Sequence, residues 1–258
     1  MNQDLQVFKF GGASLNSTER IQQVAEILRV VKDQKLLIVV SAMGKTTNEL
    51  ERIVEAYAAQ NGKAQALFEA FKQKCFETCL ALFDQQHEVF ISLNDALVEI
   101  EWVLEEEPHE NYDYTYDQIV PVGEIVSSII MHAFLNERGL PTQWLDARDI
   151  ILTDNIYREG WVQWKETQEN AMRMAKPMLE QPGFVITQGF IGTTSENFTT
   201  TLGREGSDYT AAIFSYCLDA ASMTIWKDVP GMLNADPKWF NNTVVLPQIS
   251  YREAIELA

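Results

Sequence analysis

LLIVVS, residues 36–41, sets the tightest limit on how this chain can fold. A continuous apolar, β-rich run has no polar face to offer water. It suits a strand buried on both sides, as in a parallel sheet covered by helices. Just upstream, LQVFKF (5–10) alternates, is rich in β-formers, and is broken by Gly11 and Gly12. Between the two runs, Ile21, Val24, Leu28 and Val31 share one helical face, with Asn16 as expected N-cap and Glu19 in capping-box position. Strand, loop, helix and strand make a β-loop-α-β unit, and the unit announces an α/β sandwich.

The rest of the chain departs from that alternation and then returns to it. Residues 46 to about 107 read as three helices without an intervening strand, a helical subdomain or lid. The acid-rich Glu99–Glu107 region reads as a solvated helix end, and EPHENYDYTYD (107–117) as a loop. GEIVSSIIMHAFLNERG, from 123, is a helix stopped by Gly139. TQWLDA (142–147) is a strand, and an amphipathic helix runs to about 180. FVITQ (184–188), a helix from Asp208 to about Leu218, and MTIWK (223–227) restore the α/β order. SYREAIELA opens a helix with Ser250 and Glu253 as a capping box and stops after two turns, which reads as a chain cut short. With no repeat or flexible linker, one continuous domain is expected.

Charge narrows the partners. The chain has 258 residues, 37 acidic against 20 basic, for a net charge of -17. Such a surface repels nucleic acid and anionic lipid, so neither is expected as a partner, and an anionic small ligand needs locally clustered cations. Cys75, Cys79 and Cys217 lie far from zinc spacing to any histidine and read as reduced thiols, with no metal site assigned. No signal peptide and no apolar run of membrane-spanning length are apparent, so a soluble, cytoplasmic chain is expected.

Four loops could serve phosphate chemistry. VFKFGGAS places Lys9 at a strand end before two glycines that enter a helix. Glycine lets backbone approach a phosphate closely, and the N–H groups at a helix start bind it. VVSAMGKTTNEL (39–50) looks like the tail of a Walker loop, but Val39 stands where the first glycine must be, and that reading fails. TTTLGREGSDYTAA (199–212) puts Arg204, Glu205 and Asp208 around Gly206 and Ser207. IWKDVPGMLNADPK (225–238) carries Lys227 and Asp228 ahead of Pro230-Gly231 and Asp236-Pro237 turns. Taken singly, each has an ordinary explanation in tight-turn chemistry. Glu124 and Asp208 likewise suit the first turn of a helix, where an acid meets the positive dipole end.

Together, in this order, the segments resemble the aspartate kinases of the amino acid kinase family. KFGGAS (9–14), SAMGKTTNEL, VGEIVSS (122–128), FVITQGFIG with TTTLGREGSDYTAA, and IWKDVPGMLNADPK are the five blocks that carry the resemblance. It implies an α/β three-layer sandwich with a mainly parallel central sheet. It further implies a catalytic domain over 1–258, truncated at its C-terminus, with the helical subdomain at about 46–107 and no regulatory ACT domains. The implied activity is a phosphotransferase with a carboxyl group as acceptor. ATP with Mg²⁺ would phosphorylate the β-carboxylate of L-aspartate, on the way to lysine, threonine and methionine, in a full-length protein that is a homo-oligomer. The alternatives are a family member acting on another acid, or a non-catalytic module binding ATP and an amino acid.

The resemblance also assigns roles. Lys9 and Asp208 are the catalytic pair, with Gly11 and Gly12 offering backbone N–H groups. Ser41 and Thr47 contact the substrate, Glu124 pairs with its ammonium and Arg204 clamps a carboxylate, for which a guanidinium fork is well shaped. Gly206, Ser207, Lys227, Asp228 and Lys238 face the nucleotide. The sequence departs from the family at Ala13 (usually Thr), Glu205 (a small residue or Gly), Lys227 (Thr), Leu233 (Tyr) and Lys238 (Arg). None of these changes removes Lys9 or Asp208.

Overall fold

The structure, a computed structural model, describes residues 4–229 and 231–257. Gln6–Phe10 (β1), Thr18–Val30 (α1) and Leu36–Val40 (β2) form the expected β-loop-α-β unit, with β1 parallel to β2 and Lys9 opposite Val39. The helix cap is one residue later than expected. Gly12–Leu15 make a 3-10 turn that ends on Asn16, so the chain extends at Ser17, whose Oγ accepts from the Arg20 N–H at 3.3 Å.

Thr46–Ala58 (α2), Ala64–Leu82 (α3) and Val89–Glu105 (α4) follow with no strand between them. The loop expected at 107–117 is in its second half a helix, Tyr112–Ile119 (α5). Asn111 caps it, its Oδ1 accepting from the N–H groups of Asp113 (2.9 Å) and Tyr114 (3.3 Å). The polar composition concealed the cap, and Thr115, Tyr116, Asp117 and Ile119 turn inward. Val122–Glu137 (α6) ends as expected at Gly139, which adopts φ +69° while the Leu140 N–H reaches back to the Leu135 carbonyl at 2.9 Å.

Contrary to the expectation about apolar length, Tyr112–Glu137 is 26 residues long and holds a window of mean hydropathy 1.5, enough by length and composition to cross a membrane. That window is 78% buried inside the fold, and Glu124, Ser127 and Ser128 bond to neighbouring protein groups. Protein groups pack around most of this span.

Thr142–Leu145 (β3) leads to a helical stretch formed by Trp164–Asn170 (α7), a π-turn at Ala171–Ala175 and Lys176–Leu179 (α8). Phe184–Gln188 (β4) is followed by a small antiparallel pair that the sequence reading missed, Ile191–Thr193 (β5) with Thr199–Thr201 (β6). Gly206–Cys217 (α9), Ser222–Trp226 (β7) and Tyr251–Leu257 (α10) complete the order.

Among the described residues the central sheet runs β3-β4-β2-β1-β7, with all neighbours parallel. Period-two alternation sends Phe8, Phe10, Leu36, Ile38 and Val40 to the core shared with α1 to α6. Val7, Leu37, Val39 and Val185 go to the opposite core, against Ala171, Ala175, Ala211 and Phe214. Helices therefore cover both sheet faces, making three layers. The same parity puts Lys9 on the α9 side, and this places the site. Cys75, Cys79 and Cys217 are buried free thiols, and burial raises all three, Cys75 and Cys79 to about 12.

The chain separates into two compact units, one ending at Trp226 and the other beginning at Lys227. Within the second, Leu233 bridges Val245, Asp236 Oδ1 accepts from the Lys238 N–H at 2.8 Å, and Ser250 and Glu253 form the expected capping box. Of the two turns expected there, Asp236-Pro237 is present as this Asx turn. Pro230, the first residue of the other, lies outside the described residues.

Candidate active site

Parallel strands bring their carboxyl ends to one edge of the sheet, and the loops leaving that edge are where such folds bind ligands. A cavity of about 750 Å³ opens there in the first unit. Lys9 and Gly12 line it from the β1 loop, and Ser41 and Thr47 from the turn between β2 and α2. Glu124 enters from the first turn of α6, and Arg204, Gly206 and Ser207 from the start of α9. Segments up to two hundred residues apart in sequence thus share one wall.

Lys9 is 5% exposed, and its Nζ lies 2.5 Å from Asp208 Oδ1. A buried ammonium needs such a partner, and the first turn of α9 supplies the acid where the helix dipole favours it. Gly11 sits beside the pair: a Cβ there would lie 3.6 Å from Lys9 Nζ. Its N–H is directed to the Trp226 carbonyl at 3.4 Å. Gly12 is required for a different reason. A Cβ on it would stand 2.5 Å from the Ala42 carbonyl oxygen, and its own carbonyl accepts from the Gly44 N–H at 2.9 Å. The two phosphate-type loops are therefore in backbone contact.

Glu124 is 4% exposed. Its Oε1 accepts from the Ala42 N–H at 3.3 Å, while Oε2 has no hydrogen-bond partner among the described residues. Burial pushes its carboxyl up to about 8, against the opposing pull of that N–H and of the Lys9 charge. The residue approaches this closely because Gly123 precedes it: a Cβ there would meet Leu50 Cδ1 at 2.9 Å and Thr46 Cγ2 at 3.0 Å. Arg204 is exposed, makes no ion pair among the described residues, and lines the cavity.

The start of α9 differs in detail from the sequence reading. The Gly206 N–H is taken by the Gly203 carbonyl at 3.0 Å. Gly206 contributes space instead, because a Cβ there would press on the Phe190 ring at 2.6 Å. Glu205 stands just before it with φ +55°, the left-handed region. A residue other than glycine is strained in this conformation.

Three residues escaped the sequence reading. Asp117 is fully buried and accepts from the Arg158 N–H (2.8 Å), the Thr201 N–H (2.9 Å) and the Thr201 hydroxyl (2.8 Å). It ties the loop around Arg158 to β6, which runs on to Arg204. Burial pushes its carboxyl up to about 6 despite those donors. Arg158 and Tyr116 line the cavity as well. The only sequence signal for any of them was an acid and aromatics in a segment read as loop.

Lys227, Asp228 and Lys238 belong to the second unit.

A three-layer α/β fold with a parallel central sheet and a lysine-lined cavity at its carboxyl edge defines a class, and the chain belongs to the amino acid kinase family, whose model matches residues 4–258. Relatives of the chain within that family include aspartokinases. It is 31% identical over 256 residues to the lysine-sensitive aspartokinase 3 of Escherichia coli K12, covering 99% of this chain and 56% of that protein. It is 31% identical over 264 residues to the chloroplastic bifunctional aspartokinase/homoserine dehydrogenase 1 of Arabidopsis thaliana, covering 98% and 28% respectively. The crystal structure of E. coli aspartokinase III in complex with aspartate and ADP superposes with a TM-score of 0.89 at 30% identity, over 98% of this chain and 56% of that one. The chain thus spans between about a quarter and just over half of these relatives.

Proposed function

We propose that this chain carries the catalytic site of an aspartate kinase, transferring the γ-phosphoryl group of ATP to the β-carboxylate of L-aspartate. The observation that carries the reading is Glu124. A buried carboxylate with one unbonded oxygen, facing a cavity that also presents Arg204 and Lys9, fits an acceptor bearing an ammonium and carboxylates. The solved relative bound to aspartate and ADP supports the same reading.

A carboxylate is already a nucleophile, so the chain's residues align groups and stabilise charge and no general base is needed. Glu124 takes the ammonium, Arg204 clamps a carboxylate, and Ser41 and Thr47 complete the acceptor wall. Lys9 stabilises the charge of the phosphoryl group in transit, and Asp208 holds the Lys9 ammonium in place. Gly12 and Gly206 let the phosphate-type loops pack closely where a side chain would collide with backbone or with Phe190. Among the described residues no group of three or more metal-ligating side chains exists. This fits Mg²⁺ bound largely through the nucleotide's own phosphates with one or two carboxylates, Asp208 being at hand. There the ion would neutralise charge on the phosphates. The resemblance alone assigns Lys227, Asp228 and Lys238 to the nucleotide.

A coupled ADP-release assay with L-aspartate, L-glutamate and N-acetylglutamate tests the reading. Turnover with L-aspartate is expected. Turnover with N-acetylglutamate in its place would overturn it, because an acetylated nitrogen has no charge for Glu124 to meet.

A further inference from the structure

Arg158 has a combination of features that the acceptor site described above does not use. It lines the same cavity as Arg204, on a loop that the sequence pattern did not mark and whose backbone runs beside Gly203. Its backbone sits at φ +68°, where a residue other than glycine is strained. Surrounding contacts hold it there: its N–H donates to the buried Asp117 at 2.8 Å, and the Gly160 N–H two residues on donates to the Thr201 carbonyl at 2.8 Å. Glycine would occupy this position with less strain, so the side chain needs a reason for being present.

The side chain is prepared to receive an anion. Its Cζ lies 4.2 Å above the centre of the Tyr116 ring, and the Tyr116 hydroxyl is fixed to Glu51 Oε1 at 3.1 Å. Stacking engages the face of a guanidinium and leaves its N–H donors, which lie in the plane, available. Asp113 Oδ1 stands 3.6 Å from Nη1, too far for a hydrogen bond, and both side chains are about half exposed. Asp113 therefore orients the group without consuming its donors.

We infer that Arg158 is a specificity-determining residue that binds a carboxylate of the acceptor, giving the cavity a second guanidinium alongside Arg204. The inference rests on the acceptor reading proposed above and deepens it. A dicarboxylic amino acid would then meet one cationic fork at each carboxylate region and Glu124 at its ammonium.

The test is calorimetric titration of the full chain, its Arg158→Gly variant and its Arg158→Lys variant with L-aspartate and, separately, with ADP. Glycine suits the backbone at φ +68°, so the first variant is expected to fold. The L-aspartate Kd should rise about tenfold or more in Arg158→Gly, as loss of a charged hydrogen bond implies, and less in Arg158→Lys, which keeps the charge. The ADP Kd should stay within about twofold of the parent. An L-aspartate Kd unchanged in Arg158→Gly, or equal losses in both variants, would overturn the role of Arg158 and leave the acceptor reading standing. A parent chain that does not bind L-aspartate would sink both.

Discussion

Nζ of Lys9 lies 2.5 Å from Oδ1 of Asp208, joining the end of strand β1 to the first turn of α9. A buried ammonium held this way is preorganised for charge that appears only during phosphoryl transfer. Lys9→Met keeps most of the packed stem and removes the charge. We expect kcat to fall by about 10²- to 10³-fold with KM for both substrates within a few-fold, measured by ADP release. A raised KM at unchanged kcat would assign Lys9 to ground-state binding alone.

Glu124 predicts a proton-linked binding step. Its carboxyl is raised from an ordinary 4.5 to about 8 by burial, so at pH 7 the folded protein holds it mostly protonated. The unfolded chain releases that proton near pH 4.5. Between the two values the folded state binds more protons, so this group's stabilising contribution is full below about 4.5 and is lost as pH rises toward 8. Asp117, raised from 3.8 to about 6, acts in the same direction over its own interval. An ammonium arriving at Glu124 Oε2 favours the ionised form, so binding of L-aspartate at pH 7 should release up to about one proton. Titrations in buffers of different ionisation enthalpy measure it. Glu124→Gln should abolish the release, and a parent protein that releases none would contradict the pairing.

Much of this was legible in the sequence, and what was missed has physical causes. The two-sided apolar run of β2 and the alternation of β1 dictated a covered parallel sheet, and their parity placed Lys9 on the α9 face. Four of the five blocks supply Lys9, Ser41, Thr47, Glu124 and Arg204 to one cavity, and the fifth runs into the second unit. Residues 112–119 failed to read as helix because the start is set by one Asn111 side-chain cap and not by an apolar period. Asp117 and Arg158 stayed invisible for a related reason. A buried carboxylate gains its meaning from donors on Arg158 and Thr201, forty-one and eighty-four residues away in sequence. No local pattern reports such a contact.

Asp117 should therefore be a positioning residue. Asp117→Ala deletes three accepted hydrogen bonds at a fully buried carboxylate and leaves the buried Thr201 N–H and hydroxyl unpaired. A loss of about 3 kcal/mol or more is expected in urea unfolding. Asp117→Asn keeps one acceptor oxygen and removes the titration, so it should lose less. It should also flatten the pH dependence of stability between pH 4 and 6. Equal stability of all three proteins would show that the tie between the Arg158 loop and β6 carries no weight.

Gly12→Ala tests whether the contact between the β1 loop and the β2 loop shapes the phosphate end. The added methyl would lie 2.5 Å from the Ala42 carbonyl oxygen and 3.3 Å from that of Gly44, and neither is a flexible side chain that could move aside. The loops must separate, at a cost of about 1–3 kcal/mol in stability, as for other overpacked sites. Ala42 also donates its N–H to Glu124, so the displacement should reach the acceptor side too. KM for nucleotide and for L-aspartate are both expected to rise, with the melting temperature falling by several degrees. A rise for the nucleotide alone would mean that the Ala42 N–H follows Glu124 without loss and that the two halves of the cavity are mechanically separate.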